Sequence, residues 1–339
     1  MRNLKRALSL ALASVMLLGM MVVGSSAKGI DDFTDKAEIV NQDAVAVTSA
    51  IGMFEGYEDG SFGPENVVTR AEMAVIICTM LYGAGVNVNQ FAETSVFTDV
   101  PDWAEGYVNL CASLGIVAGV GEGRFDPNAT VTTAQAVLML CRALGYFQSA
   151  ADFGSDWMLA ATAKGTALGL YGDLKLTANA GLTRDNVAEL VFNALTKAVT
   201  VEYNDTFNIY FNTGSTWANG VKFDYKQTLG YKNFDLVYMN DEDDFGRPST
   251  VWGTGSLANV SLDDEGNIPD SYKGIADDDI IISMADTATH TYTAKVSSKT
   301  LYNDVGRTAA QDYDWTVYTN GEANEYSFDG NDLYDNRTS

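Results

Sequence analysis

Two arginines stand at the same place in a repeated motif, and their chemistry suits the binding of an anion. Arg70 follows Thr69, and Arg184 follows Thr183, each at the predicted start of a helix. A helix start has N–H groups without intrahelical partners and the positive end of the helix dipole, which favour an anion. An arginine adds a planar fork that matches a carboxylate or phosphate. Solvated side chains, or pairing with a neighbouring acid, are the alternative from the residues alone.

The motif belongs to a unit that occurs three times. Thr-Arg-Ala-Glu at 69–72 recurs as Thr-Thr-Ala-Gln at 132–135, and the glycine-rich turns that precede them share the same offset of 63 residues. A divergent third copy reads Thr-Arg-Asp-Asn at 183–186. Such self-similarity predicts one domain whose copies bury their apolar faces against one another. The second copy has Thr133 in place of the arginine, so only Arg124, from the preceding turn, is a substitute there.

Each copy predicts two helices. The first is an apolar stretch with helical spacing that a glycine stops, and the second starts at a capping box. The glycines are Gly52, Gly115 and Gly169. The box is complete in the first two copies, whereas Asn186 takes the place of Glu or Gln in the third and weakens it.

The cysteines and the single histidine do not indicate catalysis. Cys78 and Cys141 share the repeat offset and an apolar helical position, so these two and Cys111 are predicted to be buried free thiols rather than redox or metal-binding groups. His290 lies in a polar stretch, which favours a surface position. We therefore expect no catalytic residues, no metal site and no cofactor.

Near residue 200 the pattern changes from helical to strand-like. β-Branched and aromatic residues alternate with polar ones at 199–203, 207–211 and 292–296, and an Asn-Gly pair at 320–321 predicts a hairpin. This half is expected to be all-β. Its acidic clusters at 241–244, 263–265 and 277–279 are oxygen-rich enough for Ca²⁺, but none has the spacing of a dedicated loop, so solvated loops are the preferred interpretation.

The net charge of the chain and its first 27 residues indicate where the protein is located and which partners its charge disfavours. The net charge of −24 makes nucleic acids and anionic lipids poor partners. Residues 1–27 have basic, apolar and small-residue segments in the order of a secretory signal peptide, with a cut expected after Ala27. The sequence predicts a secreted protein with no membrane span once the signal is removed. With no Leu-Pro-x-Thr-Gly signal, its attachment to the cell is expected to be non-covalent.

The order of motifs resembles the S-layer homology (SLH) family. Phe-Thr-Asp, Leu-Gly-Ile-Val-x-Gly, Asp-Gly-x-Phe-x-Pro and Thr-Arg-Ala-Glu-x-Ala carry the resemblance, which covers about residues 30 to 198. It implies three tandem copies that fold as a pseudo-threefold helical prism and bind secondary cell-wall polysaccharide, often a pyruvylated sugar, in grooves between copies. The predicted chain is thus α+β, with this all-α domain followed by a β-rich one.

The resemblance also implies ligand-binding residues. Arginines of the Thr-Arg step would hold the acidic ketal, and tryptophans and glycines would shape the groove. By position these residues are Arg70, Arg184, Trp103, Trp157, Gly56, Gly119 and Gly172, with Arg124 as the substitute in copy two. Because Thr133 replaces one arginine and copy one has no tryptophan, we expect fewer than three working grooves.

The predicted organisation is a signal peptide (1–27), SLH copies at 28–92, 93–150 and 151–200, and a β-rich region at 201–339. The leading hypothesis is a non-enzymatic surface-layer or wall-attached protein of a Gram-positive envelope. Its β half is expected to serve either in assembly, with a lattice of its own copies as one option, or in display. The alternatives are a wall-anchored exported hydrolase with an unrecognised catalytic domain and an adhesin. No Gly-x-Ser-x-Gly or His-Glu-x-x-His motif supports the hydrolase.

Overall fold

A computed structural model describes most of the first 242 residues and shorter stretches after them. The described residues are 29–83, 85–92, 96–214, 220–242, 248–254, 280–285, 290–294, 296–297, 300, 303–304, 314–315, 318–319, 322–323 and 328–329. The predicted signal peptide lies outside them, as do the acidic clusters at 263–265 and 277–279 and half of the one at 241–244. The chain divides into two compact units, one built on residues 1–237 with 252–269 and 274–282, the other on 238–251, 270–273 and 283–339.

The chain is α+β, as predicted. Its described helices are α1 Gln42–Ala50, α2 Arg70–Tyr82, α3 Asn89–Ala92, α4 Asp102–Ser113, α5 Thr133–Ala143, α6 Trp157–Ala167, α7 Arg184–Thr196 and α8 Leu229–Phe234. Short 3-10 turns lie at Ile30–Asp32, Lys36–Glu38, Ala150–Phe153 and Tyr225–Gln227. Among the described residues, no helix is both long enough and apolar enough to cross a membrane.

The predicted helix boundaries are confirmed. Gly52, Gly115 and Gly169 follow α1, α4 and α6 with φ values of 75°, 69° and 71°, a left-handed conformation that favours glycine and stops a helix. Thr69 and Thr132 cap α2 and α5 in complete capping boxes. Thr183 accepts from the backbone N–H of Asn186 at 3.3 Å, but α7 has no reciprocal bond, which is the weaker box that the sequence predicted.

The helices pair in a cyclic order. α2 packs on α4, α5 packs on α6, and α7 packs on α1. In terms of the sequence copies, the second helix of each copy meets the first helix of the next, and the third copy meets the first. The apolar faces that the spacing predicted are buried in one continuous core. All three cysteines lie in it as free thiols, in agreement with the prediction.

The segments that lead into α2, α5 and α7 are joined by a ring of backbone hydrogen bonds. Val68 donates to the carbonyl of Leu182 (3.0 Å), Leu182 donates to Val131 (3.1 Å), and Val131 donates to Val68 (2.9 Å). All three side chains are buried. Each residue immediately precedes the capping threonine of its helix, so the ring holds the three helix starts side by side.

After α7 the chain turns back over the helix ends. Strands β1 (Val201–Asn204) and β2 (Ile209–Asn212) form an antiparallel hairpin with Val201 opposite Asn212. The Tyr225–Gln227 turn and α8 then follow, so the expectation of an all-β half is wrong over this stretch. The helix α8 has six residues that begin at the Thr228 cap, which is too short to give a helical period in the sequence.

The later strands range from two to seven residues. They are β3 Leu236–Glu242, β4 Pro248–Thr254, β5 Ile280–Ala285, β6 Asp314–Trp315, β7 Tyr318–Thr319, β8 Glu322–Ala323 and β9 Phe328–Asp329. β3, β4 and β5 form one sheet in that order, and β6 pairs with β9. β7 pairs with β8 across residues 320–321, which confirms the hairpin predicted there. The strand expected at 292–296 is wrong for residues 292–294, which include a bend instead.

Candidate functional site

Arg70, Thr133 and Arg184 lie at three junctions where the first turn of a second helix meets the turn of the next copy. At the first junction the backbone N–H groups of Arg70 and Ala71 donate to the carbonyls of Ala129 (2.9 Å) and Pro127 (3.1 Å). The other junctions repeat this pair of bonds, from Thr133 and Ala134 to Ala180 and Ala178, and from Arg184 and Asp185 to Asn66 and Pro64. The expectation that free backbone N–H groups bind an anion is therefore wrong at these positions, because carbonyls already accept from them.

The side chain of Arg70 extends into the turn of the second copy. Its Nε donates to the carbonyl of Phe125 and one Nη donates to the carbonyl of Ala118, both at 3.0 Å. The guanidinium lies 4.5 Å from the Phe125 ring centroid, close enough for a cation–π interaction. Burial lowers the pKa of Arg70, and the carboxylates of Asp126 and Asp99 oppose that shift. The side chain is 7% exposed, so it links two copies more than it faces solvent.

Arg184 makes the equivalent contacts with the turn of the first copy. Its Nε donates to the carbonyl of Phe62 (2.9 Å) and one Nη donates to the carbonyl of Glu55 (2.8 Å). Three rings surround the guanidinium, with centroids 4.9 to 5.5 Å away, and they belong to Phe54, Tyr57 and Phe62. The side chains of Arg184 and Tyr57 are both partly exposed, whereas Arg70 is buried. The rings and carbonyls around the guanidinium still desolvate it, and this burial lowers the pKa of Arg184, while Tyr57, Glu72 and Asp35 oppose the shift.

At the middle junction, Thr133 rather than an arginine joins the helix start to the turn of the third copy. The hydroxyl of Thr133 donates to the carbonyl of Ala180 (3.2 Å), the same carbonyl that accepts from its backbone N–H. Arg124, the predicted substitute, is exposed and pairs with Glu122 at 3.5 Å. It lies in the turn of the second copy, next to the Phe125 carbonyl that Arg70 binds, and thus belongs to the first junction rather than the middle one.

The tryptophans and glycines differ in exposure. Trp103 is partly buried and packs against the core from the first turn of α4. Trp157 opens α6 and is 39% exposed, so of the two it offers the larger free surface. Gly56 is buried, whereas Gly119 and Gly172 are exposed. At Gly119 a Cβ would lie 2.7 Å from both the Arg124 carbonyl and the Phe97 ring, so this turn requires glycine.

A cavity of about 360 Å³ opens beside Gly172 in the third copy. Two carboxylates, those of Asp173 and Glu189, line it with a single ammonium, that of Lys197. Burial raises the pKa of Glu189, while its hydrogen bond from Asn193 works in the opposite direction. The two carboxylates and the single ammonium give this cavity an excess of acidic groups, in contrast to the arginine junctions.

Two aspartates that sequence reasoning did not single out hold the turns in shape. The carboxylate of Asp35 accepts from the backbone N–H groups of Phe62 and Gly63, both at 2.8 Å. Asp99 accepts from Phe125 and Asp126 in the same manner, at 2.7 and 2.8 Å. Each closes the Phe-Thr-Asp motif, and that recurrence was the available signal. These carboxylates fix the carbonyls that the arginines bind.

The described part of the chain offers neither a histidine placed for catalysis nor a cluster of residues suited to a metal ion. His290 is exposed, as predicted, and stacks on Tyr292. The described residues contain no cluster of His, Cys, Asp and Glu suited to a metal ion.

Comparison with known proteins identifies the repeated unit. The S-layer homology domain family matches residues 32–74 and 96–137. A cell surface protein of Thermoanaerobacter kivui is 35% identical over 198 residues, which are 58% of this chain and 25% of that relative. A middle cell wall protein of Brevibacillus brevis is 30% identical over 196 residues, 57% of this chain and 18% of the relative. This chain spans a quarter or less of the length of these two relatives.

A more distant relative has an enzyme name. An uncharacterized cell wall amidase of Bacillus anthracis is 28% identical over 89 residues, which are 26% of this chain and 16% of that protein. The predictions of S-layer homology domains and of a secreted, cell-wall-associated protein are confirmed by the family match and the surface proteins.

Proposed function

We propose, on the premise that residues 32–74 and 96–137 are S-layer homology domains, that three pseudo-threefold copies bind a secondary cell-wall polysaccharide, including its pyruvylated sugars. This binding would hold the chain non-covalently on the cell wall. The observation that carries the proposal is the cyclic hydrogen-bond ring of Val68, Leu182 and Val131. This ring joins the three helix starts in one cycle, which supports the proposal of three similar junctions in a pseudo-threefold arrangement. Repeated junctions on one rigid body raise avidity for a repetitive polymer.

The arginine junctions are the proposed sites for the acidic sugar. At each, two N–H groups of one guanidinium donate to carbonyls of the adjacent turn, which holds the planar fork in one orientation. Nearby carboxylates act on both arginines, but among the described residues neither guanidinium forms a direct ion pair, which leaves it able to bind a carboxylate ligand. The Arg184 junction is the stronger candidate, since it is more exposed and includes Tyr57. The middle junction, with Thr133, is proposed to lack an acid-binding role.

The test compares binding of the full chain to purified native wall and to chemically depyruvylated wall. We expect weaker binding to the depyruvylated wall. Arg184→Thr should weaken binding to native wall by about tenfold to a hundredfold, because one charge-assisted hydrogen bond contributes about 1.5–3 kcal/mol. Threonine is the replacement because Thr133 already closes the equivalent junction. Lys36→Thr, which removes an exposed cation paired with Asp31, is the matched control.

Two results would contradict the proposal. Equal binding of the unaltered protein to both walls would rule out recognition of the ketal, whatever the variants do. Loss of binding by Lys36→Thr as large as that by Arg184→Thr would show that general charge, rather than the junction, governs binding. Thermal unfolding of each variant separates loss of binding from loss of fold.

For the β-rich region we propose a role in assembly or display rather than catalysis. The amidase relative supports the alternative of a wall-anchored hydrolase. Incubation of the full chain with purified wall distinguishes them: newly released amino or reducing groups would favour the hydrolase, and ordered sheets formed on addition of Ca²⁺ would favour assembly.

A further inference from the structure

Two of the three buried cysteines touch each other across a helix pair. The sulfur of Cys78, on α2, lies 3.6 Å from the sulfur of Cys111, on α4. Each sulfur also lies 3.6 Å from a carbonyl oxygen of the opposite helix, Cys78 from that of Tyr107 and Cys111 from that of Ala74, so each thiol has a carbonyl and the other sulfur as alternative hydrogen-bond partners. Both residues are fully buried. The two helices come from different sequence copies, so this contact joins the first copy to the second.

We propose that Cys78 and Cys111 are an oxidative cross-linking site, which forms one disulfide between α2 and α4 when the exported chain folds in the presence of a disulfide oxidant. A disulfide has an S–S length of about 2.05 Å, so the sulfurs need to approach by about 1.5 Å. The sulfurs can make that approach while α2 and α4 come together during folding, because their packing brings the two side chains side by side. Secreted proteins fold where disulfides persist.

The remaining cysteine provides an internal control. Cys141 occupies the position on α5 that Cys78 occupies on α2. Its neighbouring helix, α6, contains no cysteine; Gly165 there packs against Val137 of α5. Cys141 is fully buried, and burial raises its pKa to about 12. The cross-link should therefore be selective for one pair out of the three that are possible.

The chemistry balances with a disulfide of the glutathione class as oxidant. The Cys78 thiolate attacks one sulfur of the oxidant, which forms a mixed disulfide and releases one thiolate. The Cys111 thiolate then attacks the Cys78 sulfur, which forms the internal S–S bond and releases the second thiolate. The chain gives up two protons and two electrons, and the oxidant becomes two thiols.

Burial determines when this reaction takes place. In the folded protein the oxidant has no access to either sulfur, and the pKa of Cys111 is raised by its hydrogen bond to Cys78 and by burial, so the reactive thiolate is scarce. Oxidation is therefore expected during folding, before α2 and α4 exclude solvent. Folded, reduced protein should resist alkylation at both residues.

The test refolds the full chain from denaturant in a buffer of oxidised and reduced glutathione, with dithiothreitol in a parallel sample. Peptide masses measured without reduction identify the link. We expect a peptide pair joining residues of α2 and α4, two hydrogens lighter than the separate peptides, and a thermal midpoint higher by on the order of 5–10 °C than that of the reduced form. Cys141→Ala should give the same product, and Cys111→Ala should give none.

Two outcomes would overturn the proposal. One is the absence of the linked peptide in both the unaltered chain and Cys141→Ala. The other is the appearance of Cys141 in linked peptides as often as Cys111, which would indicate random pairing in the unfolded chain. The measurement on the unaltered chain does not depend on whether any variant folds.

Discussion

The amide of Asn233 provides a sharp test of whether the chain after the third copy belongs to the helical unit. Its Nδ2 donates to the carbonyls of Met80 (2.8 Å) and Leu81 (3.0 Å), which lie in the last turn of α2 and lack intrahelical partners. Asn233 thus caps a helix more than 150 residues earlier in the chain.

The loss of unfolding free energy expected for Asn233→Ala follows from its two hydrogen bonds. Each part-buried hydrogen bond contributes about 0.5–1.5 kcal/mol, so Asn233→Ala should cost about 1–3 kcal/mol of unfolding free energy. For a unit of this size, that corresponds to a fall of about 2–10 °C in Tm. Asn233→Asp should be worse than the alanine variant, because it removes the donor and places a carboxylate against two carbonyls.

Circular dichroism at 222 nm follows the melting of the repeat helices themselves. Asn87→Ala is the control, since its side chain accepts from the nearby backbone N–H of Asn89 at an exposed site and should leave Tm nearly unchanged. If Asn233→Ala and Asn87→Ala melt at the same temperature, or if Asn233→Asp is as stable as the unaltered chain, the proposed capping role is wrong.

Three further predictions concern the same unit. Gly145→Ala should severely destabilise it, because a Cβ at φ 98° would lie against the Val201 carbonyl. Gly123→Ala is the control: at φ 69° with open space around it, backbone strain should lower the unfolding free energy by only about 1 kcal/mol. Chemical denaturation measures both. Thr69→Ala removes the hydroxyl of a complete capping box and should cost about 1 kcal/mol in the same assay. Because the folded-state pKa of Glu189 is raised above its ordinary 4.5, ionisation opposes folding, and this loss of stability grows as pH rises through the folded pKa. Glu189→Gln should therefore increase Tm at pH 7.5 more than at pH 4; an equal change at both would contradict the assignment.

Local signals in the sequence predicted the elements well, since each depends on a few neighbouring residues. A glycine in the left-handed conformation ends a helix, a threonine with Glu or Gln three residues later begins one, and an Asn-Gly pair forms the turn of a hairpin. These signals predicted α1, α2, α4 to α7 and the β7–β8 hairpin. The rules fail for α8, because six residues give no period and its position depends on capping carbonyls of α2.

Contacts between copies could not be predicted, because periodicity shows which face of a helix is buried but not which helix covers it. The offset of 63 residues relates Cys78 to Cys141, yet the sulfur near Cys78 belongs to Cys111. That contact exists because α2 pairs with the first helix of the following copy. Likewise, the type and position of Arg70 indicated an anion site, while the carbonyls it binds became apparent only with the turn of the second copy in place.

The middle junction separates the structural role of the arginines from their proposed binding role. Thr133 closes it with the same two backbone hydrogen bonds as the arginine junctions and with a neutral hydroxyl to one carbonyl. Closure of the ring therefore does not require a guanidinium. At Arg70 and Arg184 the fork adds contacts beyond those that closure needs, and it places a charge beside the turns where ligands are proposed to bind. A threonine variant that melts like the unaltered chain but binds native wall more weakly would assign that charge to recognition, whereas equal binding with a lower Tm would assign it to the fold.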